Sequence, residues 1–412
     1  MHSLKSRFLL FVLVAFCATS LIAGVGSEKP WHKNQRPPVI VSQERDKIVV
    51  DNIRWGFTGE EADEPSFQKV TIDPTKIKDI IFWTENFPPE WLAAHGMIAF
   101  IFEDDSAVVA EDGTRDIGFV LSVEARLKHD QSYNLLKGMG KNFGLVYLLT
   151  SYTDRVQFAV AMRKHSISQF KLKLTKEQKV DLVRNTIVKS AENRDDVWYN
   201  TLTESCVTHA TECINTVLPE DKRISVYRVG RTVPNILVSF PKTTGRYMIL
   251  KGVAERHAPL SKTTKQLSFP MTNGEDYVID LRRLPGYGIP LKVLPFVENL
   301  EVFLKYAQAL HMLERLQTLL SPMDPRFFEY QKEMINVEEE LEVCHEALMK
   351  ILEENFTENV VYYSQQELPD WSAIKILDGV IDEQIKLRLI NGTEEEETKK
   401  LETAREALKT RK

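Results

Sequence analysis

The sequence predicts an α+β protein, with an antiparallel β-rich stretch leading into a cysteine-bearing helix and then a helical C-terminal region. Three observations carry this. Between residues 48 and 162, short runs of β-branched and aromatic residues follow the alternation of half-buried strands. Between 174 and 219 the apolar residues recur at helical spacing instead. From residue 296 onward helical stripes take over entirely. At 412 residues, 43% hydrophobic and 27% charged, the chain can bury a full core and make about two or three domains, which excludes a disordered polymer.

The chain starts with Lys5 and Arg7, an apolar run over residues 8–18, and small residues around Ser20, Ala23, Gly24 and Gly26. This is the layout of a secretory signal peptide spanning residues 1–26, and the run is shorter than the roughly 20 residues a spanning helix needs. Phe16 before Cys17 argues against a lipidation site. No later stretch is apolar enough to span a bilayer, so the expected product is exported and periplasmic, soluble or peripherally associated with the envelope. The formal charge of −6, or −8 once Lys5 and Arg7 leave with the leader, excludes a general nucleic-acid binder, which needs clustered Lys and Arg.

Residues 27–45, with Pro30, Pro37 and Pro38, read as a linker. IVVDNIRWGF (48–57) and IKDIIFWT (77–84) read as strands. HGMIAFIF (95–102) and IGFVLSVEARL (117–127) flank an Asp112-Gly113 turn signal and read as an antiparallel hairpin. In its second strand Phe119, Leu121, Val123 and Ala125 share a core face, while Ser122, Glu124 and Arg126 share a polar one. FGLVYLLT and VQFAVAM, within 143–162, read as further strands. Residues 174–193 read as a helix opened by Thr175, and a second helix starts near Ser205 and stops at Pro219. Residues 241–295 read as an extension with short β-like pieces, RYMILKGV and DYVIDL. In the helical region 296–412, Leu300, Phe303, Ala307, Leu310 and Leu313 form one stripe and Val337, Leu341, Cys344, Leu348 and Leu352 another. The tail from Glu394 reads as a solvated helix or a frayed end.

Four cysteines, Cys17, Cys206, Cys213 and Cys344, leave an odd number after the leader, too few for a disulfide framework. Cys206 opens a helix, where the backbone dipole and unpaired N–H groups favour a thiolate and can hold an oxyanion. His95 starts a strand and could serve as general base to such a thiol; a half-exposed strand-edge histidine is the plainer reading. Two registers of the hairpin differ for Glu124. Pairing Phe102 with Ile117 places Glu124 opposite His95, whereas pairing centred on Asp112-Gly113 places it opposite Ile101. A Glu124–Arg126 ion pair is the structural reading of the same residues. Cys206, His209 and Cys213 share a helix face, but seven residues separate the two cysteines by roughly 10 Å, too far for one zinc ion or a disulfide. With no metal set, no phosphate-cradling Gly-rich loop and no GxSxG elbow, no cofactor is implied.

The succession NIRWGF (52–57), IKDIIFWT, HGMIAFIF, SVEAR (122–126), TDR (153–155), WYNTLTESCVT (198–208) and RTVPN (231–235) resembles the Lnb N-terminal periplasmic domain family over about residues 46–240. Its specific parts are SxExR and YNxLxxxC. The resemblance implies a permuted papain-like, NlpC-type thiol enzyme fold with the histidine strand ahead of the cysteine helix, His95 and Cys206 at the family's functional positions, and chemistry akin to lipoprotein N-acylation. The reading is therefore an exported Cys-His thiol enzyme performing acyl transfer or amide hydrolysis through acyl-Cys206, with His95 as base and Glu124 orienting it. A lipoprotein, a phospholipid acyl donor or a cell-wall peptide would be its partner. The alternative is a non-catalytic cell-envelope binding or assembly module that meets a protein partner through its C-terminal helices.

Overall fold

A computed structural model describes residues 30–410 except 45, 59–63, 87–93, 130, 134–136, 140, 202, 225–240, 262, 285–286, 288, 291 and 322–323. The leader with Cys17, the Pro88-Pro89-Glu90-Trp91 run preceding His95, and the RTVPN motif lie outside the described residues. The chain divides into two compact units, residues 1–288 and 289–412.

In the first unit the strands are β1 (Val39–Gln43), β2 (Ile48–Thr58), β3 (Glu64–Ile72), β4 (Ile77–Asn86), β5 (Ala94–Phe102), β6 (Val108–Ala110), β7 (Gly118–Arg126), β8 (Gly144–Ser151), β9 (Ser166–Leu172) and β10 (Ala254–Leu260). They form one sheet in the order β10-β9-β4-β5-β7-β8-β2-β3-β6, with β1 added beside β2. All pairings are antiparallel except β2 with β8. Strands β11 (Gln266–Pro270) and β12 (Asp276–Asp280) make a separate hairpin. The β5–β7 register pairs Met97 with Ser122 and Ile98 with Leu121, and the Phe102 N–H donates to the Ile117 carbonyl. The first of the two registers is therefore the real one, and the count carried to the strand ends sets Glu124 opposite His95. The Asp112-Gly113 turn closes a smaller excursion, in which Val109 bridges to Arg115 and Gly113 takes φ +84°, a conformation that only glycine adopts freely.

Two cores cover the sheet. On one face Phe82, Ile98, Phe100, Phe119 and Leu121 pack with Leu182, Val183 and Ile187 of helix α2 (Lys176–Ser190) and Ala210 and Ile214 of helix α3 (Cys206–Asn215). On the other, Ile81, Trp83, Met97, Ala99 and Val120 pack against helix α1 (Tyr152–Val156) and the π-helical turn after it, Gln157–Met162. The polar residues read for β7, Ser122, Glu124 and Arg126, do lie on the face opposite Phe119, Leu121, Val123 and Ala125. Ser122 is fully buried, its face is apolar along most of the sheet, and only the strand end is polar.

VQFAVAM is not a strand. Ala159, Val160 and Ala161 are buried as the π-helical turn, where tertiary packing overrides a β-like composition. RYMIL likewise belongs to helix α4 (Pro241–Leu250), after which β10 joins the sheet edge on β9. DYVID is strand β12. Within the stretch read as a linker, β1 pairs with β2 and Gln35 is buried against β7.

The second unit consists of α5 (Leu294–Thr318), α6 (Pro325–Glu354), α7 (Phe356–Ser364), α8 (Ser372–Asn391) and α9 (Glu395–Thr410). Phe296, Leu300, Phe303 and Ala307 pack with Leu348, Leu352 and Ile381. The charged tail is an amphipathic helix, because Leu401, Ala404 and Leu408 share one face and are buried. Among the described residues, no helix is long and apolar enough to cross a membrane.

Candidate active site

Helix α3 starts where the sequence sets up a capping box. Ser205 is the N-cap, its hydroxyl accepts from the Thr208 N–H, and the Thr208 hydroxyl accepts from the Ser205 N–H at 2.7 Å. Cys206 is the first helical residue and is 5% exposed. Its sulfur accepts from the Gly96 N–H at 3.4 Å. Gly96 permits this approach, since a Cβ there would stand 3.0 Å from Val207 Cγ2 and 3.4 Å from the Phe82 ring. A side chain there would force Val207 at the helix start to give by a few tenths of an ångström.

His95 lies one residue before Gly96, in a row that crosses three strands. Glu85 on β4 is its registered cross-strand neighbour and Glu124 on β7 flanks it on the other side. Behind the row is Arg155, 2% exposed, whose guanidinium donates to Glu85 Oε2 at 2.6 Å and to Glu124 Oε1 at 3.4 Å. His165 Nδ1 meets the second oxygen of Glu85 at 2.7 Å. Gln35 donates to Glu124 Oε2 at 3.4 Å, and a buried Arg54–Asp154 pair stands nearby.

Glu124 does not touch the imidazole. It is 4.0 Å from His95 Nε2, and the Ser122 hydroxyl bridges the gap, 2.7 Å from Nε2 and 2.8 Å from Glu124 Oε1. This arrangement fixes the tautomer. An ionised Glu124 only accepts, so Ser122 donates to it and must accept from Nε2–H, which leaves Nδ1 as the nitrogen available to the thiol.

The charges follow. Burial would push the Glu124 carboxyl up, but Arg155, then His95, Arg54 and the Ser122 hydroxyl, bring it down to about 2. Glu85, buried beside Arg155 and His165, is held well below the usual carboxylate range. Burial would also push the Cys206 thiol up, yet the charge and hydrogen bond of His95 and the Gly96 and Val207 N–H groups bring it below its ordinary value. His95 moves the opposite way. Burial and Arg155 oppose its charge, but Cys206 and Glu124 outweigh them and raise it. The pair therefore favours thiolate and imidazolium. Tyr199 and Tyr133, whose rings meet edge to face at 6.0 Å, border the thiol; burial and the charge of Cys206 raise both hydroxyls.

The comparisons with known proteins agree with the motifs. Residues 63–232 match the Lnb N-terminal periplasmic domain family. No curated protein and no solved structure matches the chain. The matched residues include β3 to β9, α1 to α3 and every residue of the site given above except Gln35 and Arg54.

The structure brings His95, Glu124 and Cys206 together and leaves the other candidates apart. His209 is occupied by Glu204 at 2.9 Å and Glu212 at 3.2 Å. Burial pushes the Cys213 thiol up to about 11 and raises Cys344 as well. Arg126 pairs with Asp195 at 3.2 Å, not with Glu124. Sequence reasoning missed Ser122 as the residue that touches His95, and it missed Glu85, Gln35 and the role of Arg155. Glu85 left a signal, as a lone carboxylate closing the apolar strand IIFWTEN.

Proposed function

We propose that this domain is an exported thiol enzyme that transfers or hydrolyses acyl groups through an acyl-Cys206 intermediate. The observation that carries the proposal is the Cys206 sulfur seated on the Gly96 N–H, next to a His95 held by the chain Ser122–Glu124–Arg155; the opposed shifts of the thiol and the imidazole agree with it. The His95 Nδ1 holds the thiol proton while sulfur attacks the acyl carbonyl carbon. Backbone N–H groups at the start of α3 beside Cys206 would be the donors to the oxyanion. As the tetrahedral intermediate collapses, the imidazolium returns its proton to the leaving group and the acyl chain remains on sulfur. An acceptor then attacks the thioester and restores Cys206. With an amine as acceptor the reaction is N-acylation of the lipoprotein kind; with water it is amide or peptide hydrolysis. A phospholipid acyl donor and a cell-wall peptide are substrates of these two kinds.

The test is labelling by a thiol-directed acyl probe. Cys206→Ala is expected to abolish it and Cys213→Ala to leave it intact. Unchanged labelling in Cys206→Ala, or loss in Cys213→Ala alone, sinks the assignment. A Cys206 that alkylates like an ordinary thiol of pKa about 8.5 favours the non-catalytic envelope module instead.

A further inference from the structure

Beside the His95 row, one aromatic ring is surrounded by guanidinium groups. Phe158 stacks on Phe57 with centroids 5.3 Å apart. The guanidinium carbons of Arg163, Arg54 and Arg155 lie 3.9, 4.9 and 5.5 Å from its centroid. Two of these cations are neutralised in place, Arg54 by Asp154 at 2.8 Å and Arg155 by Glu85 and Glu124. Arg163 differs from both. It is exposed, and among the described residues no carboxylate forms an ion pair with it. Burial of its surroundings and the charges of Arg155 and Arg54 oppose its own charge, and Glu85 and Glu124 favour it only at longer range.

The backbone fixes where Arg163 stands. Its N–H donates to the Phe158 carbonyl five residues back at 3.2 Å, and this π-type turn sets side chain 163 over ring 158. The next residue, Lys164, has φ +57°, a left-handed conformation that costs a non-glycine residue energy. Its ammonium is spent on the Tyr287 carbonyl at 2.6 Å. A π-helical turn and a left-handed lysine in succession are expensive ways to hold one cation against two others, and such features gather at functional sites.

We propose that Arg163 anchors an anionic group, a carboxylate or a phosphate, on the substrate whose acyl carbonyl is presented to Cys206. This rests on the thiol-enzyme reading. Stacked on Phe158, the guanidinium has its face covered and its donors free, the geometry that grips two oxygens at once. Arg163 shares the Phe158 ring with Arg155, and Arg155 holds Glu85, the cross-strand neighbour of His95, so the anchor stands on the imidazole side of the thiol. The substrate class is accordingly an anionic acyl compound, and a neutral one would leave the cation unused.

Two measurements test this. Calorimetric titration with phenylphosphonate and with benzoate reads the anchor without the thiol. The wild-type protein is expected to bind at least one of them, and Arg163→Gln to weaken that binding about tenfold, with the preferred anion telling phosphate from carboxylate. Equal binding by the variant, or no binding by the wild type, overturns the proposal. Alkylation of Cys206 by iodoacetamides that end, after a spacer of two to six methylenes, in a carboxamide, a carboxylate or a phosphonate then ties the anchor to the thiol. An anionic reagent is expected to outrun its carboxamide counterpart about tenfold in the wild type, a ratio that Arg163→Gln abolishes and Arg163→Lys keeps in part. A wild-type ratio retained in both variants overturns the proposal. Failure of every reagent at Cys206 would instead remove the thiol-enzyme reading, while the calorimetry still decides whether Arg163 binds anions.

Discussion

The two ends of helix α3 carry the same functional group in opposite states. Cys206, at its first residue, is buried beside an imidazole and two backbone N–H groups, and its thiol falls below the ordinary value. Cys213, two turns later, is just as buried, but apolar packing dominates there and its thiol rises to about 11. Burial alone opposes the thiolate at both positions. The difference therefore comes from the row at the sheet's end, where His95 is flanked by Glu85 and Glu124 and both carboxylates are held by Arg155.

The largest effect is expected from breaking that row at its centre. Arg155→Met leaves the buried Glu85 and the partly buried Glu124 without their cation and should cost about 3–5 kcal/mol in urea unfolding. Cys213→Ala at the apolar end removes only a small buried group and should cost about 1 kcal/mol. The acid side of the stability curve gives an independent reading. The folded Glu124 carboxyl stands at about 2, below its ordinary value, so its contribution is complete above the ordinary carboxylate range and disappears as pH falls through about 2. Without Arg155, burial is less opposed, the carboxyl protonates at higher pH, and acid unfolding should begin earlier. If Arg155→Met and Cys213→Ala cost the same, the two ends do not differ as described.

A smaller effect is expected at Ser122, and it falls on reactivity. Ser122→Ala removes the hydroxyl between Nε2 and Glu124, so the imidazolium loses its acceptor and stabilises the thiolate less. The Cys206 thiol then moves up toward the behaviour of Cys213. Because thiolate increases as pH rises through the thiol pKa, the alkylation rate should fall several-fold near pH 6 and converge with the wild type well above pH 9. A parallel drop at all pH values would mean that Ser122 acts on the fold and not on the charge of His95.

How much of this was legible in the sequence depended on how local each signal was. The start of α3 was readable because a capping serine precedes a helical stripe, and the β5–β7 pairing because alternation leaves few registers. The approach of Cys206 to His95 was not, since it depends on Gly96 letting the helix start settle on β5, 110 positions earlier in the chain. Arg155 sits in the TDR motif between two runs read as strands, and its partners lie 70 and 31 residues away. Composition also misled at 241–250 and in the tail, where packing partners and not propensity decide the outcome. The order of the motifs carried the resemblance to the Lnb N-terminal periplasmic domain family, whose model matches residues 63–232.

The smallest effect separates the two physical causes that could lower the Cys206 thiol, the imidazole and the helix start. Ser205→Ala deletes the N-cap acceptor while the Thr208 hydroxyl can still accept from the residue 205 N–H, so about 0.5–1 kcal/mol of stability should be lost. The pH dependence of alkylation should hardly move, because His95, Gly96 and Val207 act directly on the sulfur and Ser205 does not. Were Ser205→Ala to raise the thiol as far as Ser122→Ala does, the dipole and cap of α3 would be the dominant cause. His95 would then be a consequence of the thiolate and not its source, and the contrast between the two cysteines would belong to the helix ends themselves.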